Sequence, residues 1–546
     1  MNMPLPPTAW TTGTTEVFKT GTWRTAMPQH LARPSPCQQA CPVNGHIAEW
    51  IGHARTGDLR RAWEVLVLNN PFPAVAGRIC HHPCESSCNR AGYDEALSVC
   101  RLERAVGDAA IAAGWTFDPP AAELDAHVAV IGGGPSGLSA AYQLRRRGWR
   151  VSLYDAKPRL GGLLRYGIPP YRLPRRVLNA EIDRILCQGV DVHPDFALHG
   201  TADLEQLRAR HDLVYLALGA ARPKSLPQLP PQAPWLMQGT DYLAQCAAGE
   251  PPRLGERVVV IGGGSSAMDV ARSARRNGCA VTVVSLEARA ALPAQREEVQ
   301  EALEEGVLLC DSTMLRAVAG EGPLRLECVR VRFEPGVAGA PPRIEAAGSG
   351  SFMLEADAVL TAIGQDAELS PFPHDAVAGG LLQVDPYQAT AMPGVWAGGD
   401  LATMARFFSE AVGTGKRAAI DIDRALRGDQ RRQAPAGPAP GLEEIATWYH
   451  PKRRRPEQRR LPIDERLASG EEVQFALTPE EVQAEAARCF SCGSCTSCDN
   501  CFQFCPDLAV THGEGGYAVL ADYCKGCGLC VRECPTGSMV LREELR

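Results

Sequence analysis

Val128-Ala-Val-Ile-Gly-Gly-Gly-Pro-Ser-Gly137 is an apolar strand running into G-x-G-x-x-G. Gly132, Gly134 and Gly137 are its fixed glycines, with Pro135 and Ser136 between the last two. A helical pattern follows over residues 138–147, then Gly148, then a second strand over 150–154 that ends at Asp155. This order is a dinucleotide-binding unit in full context. The first glycine permits a tight turn, the second lets backbone approach a pyrophosphate, and the third lets helix pack on strand. The helix N-terminus faces the phosphates, and Asp155 is placed to take ribose hydroxyls.

The pattern recurs in Arg257-Val-Val-Val-Ile-Gly-Gly-Gly-Ser-Ser-Ala267. Here Gly262, Gly264 and Ala267 hold the fixed places, with Ser265 and Ser266 between them. A helix over 268–276 and a strand over 280–285 are expected to follow. Two such units imply one flavin site and one nicotinamide site. Residues 213–219 and 358–364 are apolar strands ending in Gly219 and Gly364, as at crossings between two domains. Val395-Trp-Ala-Gly-Gly-Asp400 is a strand that passes Gly399 and ends in an acid, placed to meet a flavin's ribityl chain.

The 21 cysteines of this 546-residue chain crowd towards its two ends. Cys495, Cys498, Cys501 and Cys505 precede Pro506, and Cys524, Cys527, Cys530 and Cys534 precede Pro535. Both runs read C-x2-C-x2-C-x3-C-P, the spacing of a two-[4Fe-4S] ferredoxin-like domain. The fourth cysteine of each run serves the other cluster. Cys495, Cys498, Cys501 and Cys534 are therefore expected to hold one cluster, and Cys524, Cys527, Cys530 and Cys505 the second. Cys489 and Cys492 extend the C-x2-C spacing upstream as alternative ligands, a separate metal site or bystanders. Cys187, Cys246, Cys279, Cys310 and Cys328 stand alone and read as small buried apolar residues.

A hydrophobic content of 45% is that of a globular protein, and a net charge of −7 argues against nucleic-acid binding. No run reaches the roughly 18 apolar residues of a membrane span. The Pro- and Thr-rich start, residues 1–15, lacks the regions of a signal peptide. Cysteines in cluster spacing call for a reducing compartment, so a cytoplasmic location is expected. No triad or Cys/His arrangement suggests a hydrolase. The first unit carries no redox-active C-x-x-C, which argues against disulfide reduction.

Gly161-Gly-Leu-Leu-Arg-Tyr-Gly-Ile-Pro-Pro-Tyr-Arg-Leu-Pro174 is similar to a signature stretch of the glutamate synthase small-subunit family. Leu292-Pro-Ala-Gln-Arg-Glu-Glu-Val299, Glu304-Glu-Gly-Val307 and Gly413-Thr-Gly-Lys-Arg-Ala-Ala419 resemble that family too. The resemblance runs from about residue 35 to 430. It implies FAD at the first unit, with Gly162, Leu163 and Arg165 beside it, and NAD(P)H at the second. NADPH-binding members carry Tyr-Arg-Arg after the second strand of the second unit, whereas this chain has Ser285-Leu-Glu287. A carboxylate there repels a 2′-phosphate and accepts hydrogen bonds from free ribose hydroxyls. NAD(H) is therefore expected over NADP(H), although Arg289, two residues on, could rescue NADP.

Near the N-terminus stand Cys37, Cys41, Cys80, Cys84, Cys88 and Cys100, in a segment with one long helical pattern over 47–68. With Asn70-Pro-Phe-Pro73, Gly77-Arg-Ile-Cys80 and Leu102-Glu-Arg104, the segment resembles the family's helical iron–sulfur domain. The resemblance implies a cluster on Cys41, Cys80, Cys84 and Glu103. A second cluster would use Cys37, Cys88 and two upstream cysteines, and this chain has no cysteine before Cys37. Cys100 is a candidate substitute there, or for Glu103. One or two N-terminal clusters are expected.

The reading is a multidomain α/β chain. A helical iron–sulfur domain covers 1–122, and an FAD domain covers 123–250 and 365–428. A Rossmann-like NAD(P) domain covers 251–364, a linker 429–485, and an α+β bacterial ferredoxin-like domain 486–546. The two nucleotide domains are disulfide-reductase-like. The linker, with Lys452-Arg-Arg-Arg455, is read as solvated or as a docking patch. The parts imply an oxidoreductase passing electrons between nicotinamide, FAD and [4Fe-4S] clusters, with other subunits or ferredoxin as partners in a hetero-oligomer. Tyr523-Cys-Lys-Gly-Cys-Gly-Leu-Cys-Val-Arg-Glu-Cys-Pro535 looks like the cluster subunit of 2-oxoacid:ferredoxin oxidoreductases and points to such a complex. A glutamate synthase small subunit, a sulfite-reductase-type partner, a free NAD(P)H:ferredoxin oxidoreductase and a non-catalytic sensor flavoprotein are the alternatives.

Overall fold

Apolar β-branched runs between glycine-rich turns form two parallel sheets, as buried strands connected by helices do. The computed structural model describes residues 19–320, 323–336, 342–430, 437–513 and 516–544. The start, 1–15, and part of the Pro/Ala-rich linker, 431–436, lie outside the described residues. The first sheet orders Val395–Ala397, Leu213–Leu216, Leu124–Ile131, Trp149–Tyr154 and Asp191–His193, all parallel. The second orders Leu308–Cys310, Ala280–Val284, Arg257–Ile261, Ala358–Thr361 and Leu236–Gln238, again parallel. Behind it stands an antiparallel sheet of Thr313–Ala319, Leu324–Glu334 and Arg343–Ala356. The chain crosses between the two nucleotide-binding units at Gly219 and Gly364. Just beyond them Arg222–Pro223 and Gln365–Asp366 pair as a short ribbon.

The N-terminal helices share a hydrophobic core with the first nucleotide unit. Trp63 stacks on Phe117 at 5.5 Å, and the Tyr142 hydroxyl donates to the Val67 carbonyl at 2.8 Å. The long helical pattern over 47–68 is in fact two helices, Ile47–Arg55 and Leu59–Val67. Gly57, at φ +83°, turns the chain, and the Asp58 carboxylate caps the second helix through the Arg61 N–H. Such a cap contributes about 1 kcal/mol and overrides a continuous apolar stripe.

Described segments near the two ends pair. Ala26–His30 pairs antiparallel with Met539–Glu543, and Arg24 holds the Glu544 carboxylate. The expected linker is not freely solvated. It carries the helices Ile463–Ala468 and Pro479–Ala486, the latter opened by a Thr478/Glu481 capping box. Arg455 bonds Glu85, Arg460 bonds Glu301 and Arg466 bonds Glu304, so this strap ties the N-terminal helices to the second nucleotide unit. No helix among the described residues is long and apolar enough to cross a membrane.

Candidate functional site

The first glycine-rich turn ends where the helix Pro135–Arg146 begins, with Gly134 as its N-cap. Ser136 Oγ bonds the Tyr215 hydroxyl at 2.7 Å and Thr414 Oγ1 at 3.2 Å. Thr414 Oγ1 also accepts the Gly399 N–H at 2.9 Å. These bonds bring the turn, the strand end at Gly399 and Asp400, and the helix Phe408–Leu426 to one place. Burial pushes the Asp400 carboxyl up, against the opposing effect of Arg406. Gly162 lies against Gly134: a Cβ on Gly162 would come 3.0 Å from the Gly134 Cα. Leu163 is exposed beside it. Arg165 instead turns inward, donating to the Leu160 carbonyl and Asn179. A Cβ at Gly219 or Gly364 would meet nothing within 4 Å. Asp155 accepts the N–H groups of Gly133 at 2.6 Å and Lys157 at 2.7 Å, so it braces the turn as well as standing at the strand end expected to meet ribose.

The second unit repeats this geometry. The helix Ser265–Arg276 starts at Gly264, where a Cβ would meet nothing within 4 Å, and Ser266 and Ala267 lie in its first turn. Glu287 sits over this turn as Asp155 does over the first. A Cβ on Gly263 would lie 2.8 Å from Glu287 Oε2, and one on Gly133 would lie 3.0 Å from Asp155 Oδ2. Two loops with open space at a helix N-terminus and a carboxylate beside the turn fit two dinucleotides.

The helix Phe408–Leu426 joins the first loop to the cysteines. Gly415 and Gly413 permit its close approach: a Cβ on the former would lie 2.1 Å from the Ser136 carbonyl, and one on the latter 2.3 Å from the Pro42 carbonyl. Lys416, next to Gly415, donates to the carbonyls of Val43 and Asn44 and to Asn69 Oδ1. Phe408 and Ser409 line a cavity with Cys41, Cys80, Cys84 and Glu103. Burial pushes Glu103 up to about 7, against the Asn70 amide that donates to it at 2.8 Å. Burial also pushes Cys80 up to about 12, so ligation there must draw off protons. Cys100 is not part of this cavity; its thiol donates to the Ala76 carbonyl at 3.3 Å.

Cys37 and Cys88 line a neighbouring cavity, and the other two cysteines on its wall are Cys489 and Cys492. Sequence spacing left that pair unassigned. At the C-terminal end, Cys495, Cys498, Cys501 and Cys534 line one cavity. Cys530 interacts electrostatically with Cys524, Cys505 and Cys527, and last with Cys501 of the first set. Cys534 thus stands beside the first run and Cys505 beside the second. All these cysteines are free thiols, and among the described residues no three His, Cys, Asp or Glu converge as a single metal ion requires. Of the isolated cysteines Cys279 and Cys328 are buried, whereas Cys187, at a helix end, is exposed.

The pyridine nucleotide-disulphide oxidoreductase family profile matches residues 126–417. The chain belongs to this family. Two iron–sulfur profiles flank the match: dihydropyrimidine dehydrogenase domain II, 4Fe-4S cluster, over 31–115, and a 4Fe-4S binding domain over 517–540. The NADP(+)-dependent formate dehydrogenase subunit beta of Moorella thermoacetica is 34% identical over 503 residues, covering 83% of this chain and 70% of the relative. The NAD-dependent dihydropyrimidine dehydrogenase subunit PreT of Escherichia coli K12 is 33% identical, covering 73% and 92%. The glutamate synthase [NADPH] small chain of Azospirillum brasilense is 32% identical, covering 71% and 85%. This family member is an oxidoreductase with FAD/NAD(P)-binding and 4Fe-4S domains, and the resemblance to glutamate synthase small subunits holds.

Proposed function

We propose that the chain is the electron-transfer subunit of a heteromeric, cytoplasmic redox complex, linking NAD(H) to a partner docked near its C-terminal cysteines. The observation that carries this reading is the helix Phe408–Leu426, which touches the first nucleotide loop through Gly415 and the Cys41 loop through Gly413 and Lys416. When bound, flavin and clusters supply the exchange between two-electron hydride chemistry and single-electron transfer. The protein's residues orient and insulate these groups. Gly132, Gly134, Ser136, Gly137, Asp155, Gly162, Gly399 and Asp400 form the FAD cradle. Gly262, Gly264, Ser265, Ser266, Ala267 and Glu287 form the nicotinamide cradle. Cys41, Cys80, Cys84 and Glu103 form one ligand set, and the eight C-terminal cysteines form two more in a ferredoxin-like unit. Functional boundaries at 1–122, 123–250 with 365–428, 251–364 and 486–546 follow these cradles. The names of the relatives from M. thermoacetica and E. coli each denote a subunit, which supports a heteromer.

Glu287 favours NAD(H), because a carboxylate after that strand accepts hydrogen bonds from ribose hydroxyls and repels a 2′-phosphate. Anaerobic stopped-flow reduction of the flavin tests this. The unchanged protein should prefer NADH, and Glu287→Arg should move the NADPH:NADH ratio of rates up by about tenfold or more, about 1.4 kcal/mol. An unmoved ratio removes Glu287 as the selector. Gentle anaerobic isolation should bring down redox subunits in constant ratio, and a solitary chain would contradict the heteromer.

A further inference from the structure

The cavity holding Cys37 and Cys88 is walled by Ala48, Ile51, Leu97, Val99 and Phe490, with Ser35, Asn89 and Arg90 as its polar lining. Its remaining cysteines, Cys489 and Cys492, come from the opposite end of the chain. The four thiols lie within electrostatic reach of one another: Cys37 interacts with Cys489 and Cys88, and Cys492 with Cys489, Cys37 and Cys88.

The loop carrying the second pair is built like the two C-terminal cluster loops. In Cys489-Phe-Ser-Cys-Gly493 the second and fourth residues after the first cysteine have positive φ: Ser491 at 53° and Gly493 at 74°. In Cys495-Thr-Ser-Cys-Asp499 the same places are Ser497 at 53° and Asp499 at 63°. In Cys524-Lys-Gly-Cys-Gly528 they are Gly526 at 73° and Gly528 at 74°. In each loop the backbone N–H two residues on donates to the first sulfur, as Ser491 does to Cys489 and Ser497 to Cys495, both at 3.4 Å. Left-handed serines are uncommon, and inward N–H groups favour a thiolate. Asn89 Nδ2 also donates to Cys492 Sγ at 3.5 Å, and Ser35 Oγ lies 3.0 Å from Cys37 Sγ.

The joint that presents this loop is buried and bonded to segments near both ends of the chain. Gly493 N–H donates to the Thr536 carbonyl, and the Gly493 carbonyl accepts the Arg33 N–H. Arg488 pairs with Glu485 and Asp94, and Arg90 donates to the Arg488 carbonyl.

We propose that Cys37, Cys88, Cys489 and Cys492 hold a fourth [4Fe-4S] cluster, with half its ligands from each end of the chain. The set stands between the two iron–sulfur regions. Its cavity shares Val99 with that of Cys41, and Cys492 is three residues from Cys495. It closes a continuous row from the flavin cradle to the C-terminal clusters.

The proposal rests on the reading of the other three ligand sets as clusters. The test is iron and zinc analysis with electron paramagnetic resonance of the reduced full-length protein, anaerobically prepared, beside Cys37→Ala, Cys492→Ala and Cys328→Ala. The unchanged protein should hold about sixteen iron atoms, and Cys37→Ala and Cys492→Ala should each lose about four and the same signal. Cys328→Ala, outside every set, should lose none. Unchanged iron in both cysteine variants, loss of different signals, or loss of zinc would overturn the proposal. Should the variants not fold, the unchanged protein decides: about twelve iron atoms refutes the fourth cluster alone, whereas none refutes the other three as well.

Discussion

Cys495, Cys498 and Cys501 stand on one short stretch and need only Cys534 from the second run, so their cavity is nearly complete within a local segment. Cys37 and Cys88 are the opposite case: the rest of their cysteine wall arrives from residues 489–492, after the whole nucleotide-binding region has intervened. The first site is set by turn geometry. The second depends on the Arg33–Gly493 and Gly493–Thr536 bonds and on buried charge around Arg488. A local site should survive damage to the long-range joint, and a composite one should not.

The largest effect is expected from Gly493→Val, which should break the composite site and spare the local one. The new Cβ would lie 2.3 Å from the Arg33 carbonyl at φ +74°. A β-branched residue there should cost about 3 kcal/mol or more, read as a lower denaturation midpoint of the full chain. A wild-type midpoint would show that the joint does not bear on stability. Arg488→Met comes next: it leaves Glu485 without its buried guanidinium and Asp94 with Arg90 alone, for a loss of about 3 kcal/mol. Arg532→Met, on the exposed side of the C-terminal cysteine helix Leu529–Arg532, should change stability by only about 0.5 kcal/mol. Equal losses would erase the contrast between the two ends.

A pH slope belonging to the N-terminal side separates the two regions in another way. Glu181 accepts the N–H groups of Ala74 and Val75 and is fully buried. Burial pushes its carboxyl up to about 8 from 4.5, against those donors and Arg184. Between those values the native state holds a proton that the unfolded chain has released, so stability falls as pH rises through that window. The slope contributed is at most about 1.4 kcal/mol per pH unit, and Glu181→Gln should flatten it. Denaturant midpoints at pH 6, 7 and 8 check this, and an unchanged slope would assign the pH dependence elsewhere.

The two glycine-rich units and the paired C-terminal cysteine runs were legible in sequence because each constraint is local: a turn, a helix start, a fixed ligand spacing. Even Glu287 could be placed from the strand it follows. The role of Cys489 and Cys492 was not legible, because no spacing rule links residues 37 and 492. Their C-x2-C spacing offered them as ligands without naming partners, and Cys-Phe-Ser-Cys-Gly repeats the small or polar residues of the cluster loops. The strap over 442–486 hid for another reason. Its basic run looks solvated until Glu85, Glu301 and Glu304 are seen to face it from distant elements. Arg172, read only as part of a signature stretch, proves to bridge the two nucleotide units by pairing with Asp269 at 2.6 Å and with Glu298.

The nucleotide cradles and both cysteine regions are expected to form one electron-transfer path. Anaerobic mixing of the full chain with NADH, followed by rapid freezing and electron paramagnetic resonance, tests it most directly. The account predicts that flavin bleaching is followed by cluster signals, including those that Cys501→Ser removes. Flavin bleaching with silent clusters that dithionite nevertheless reduces would contradict it.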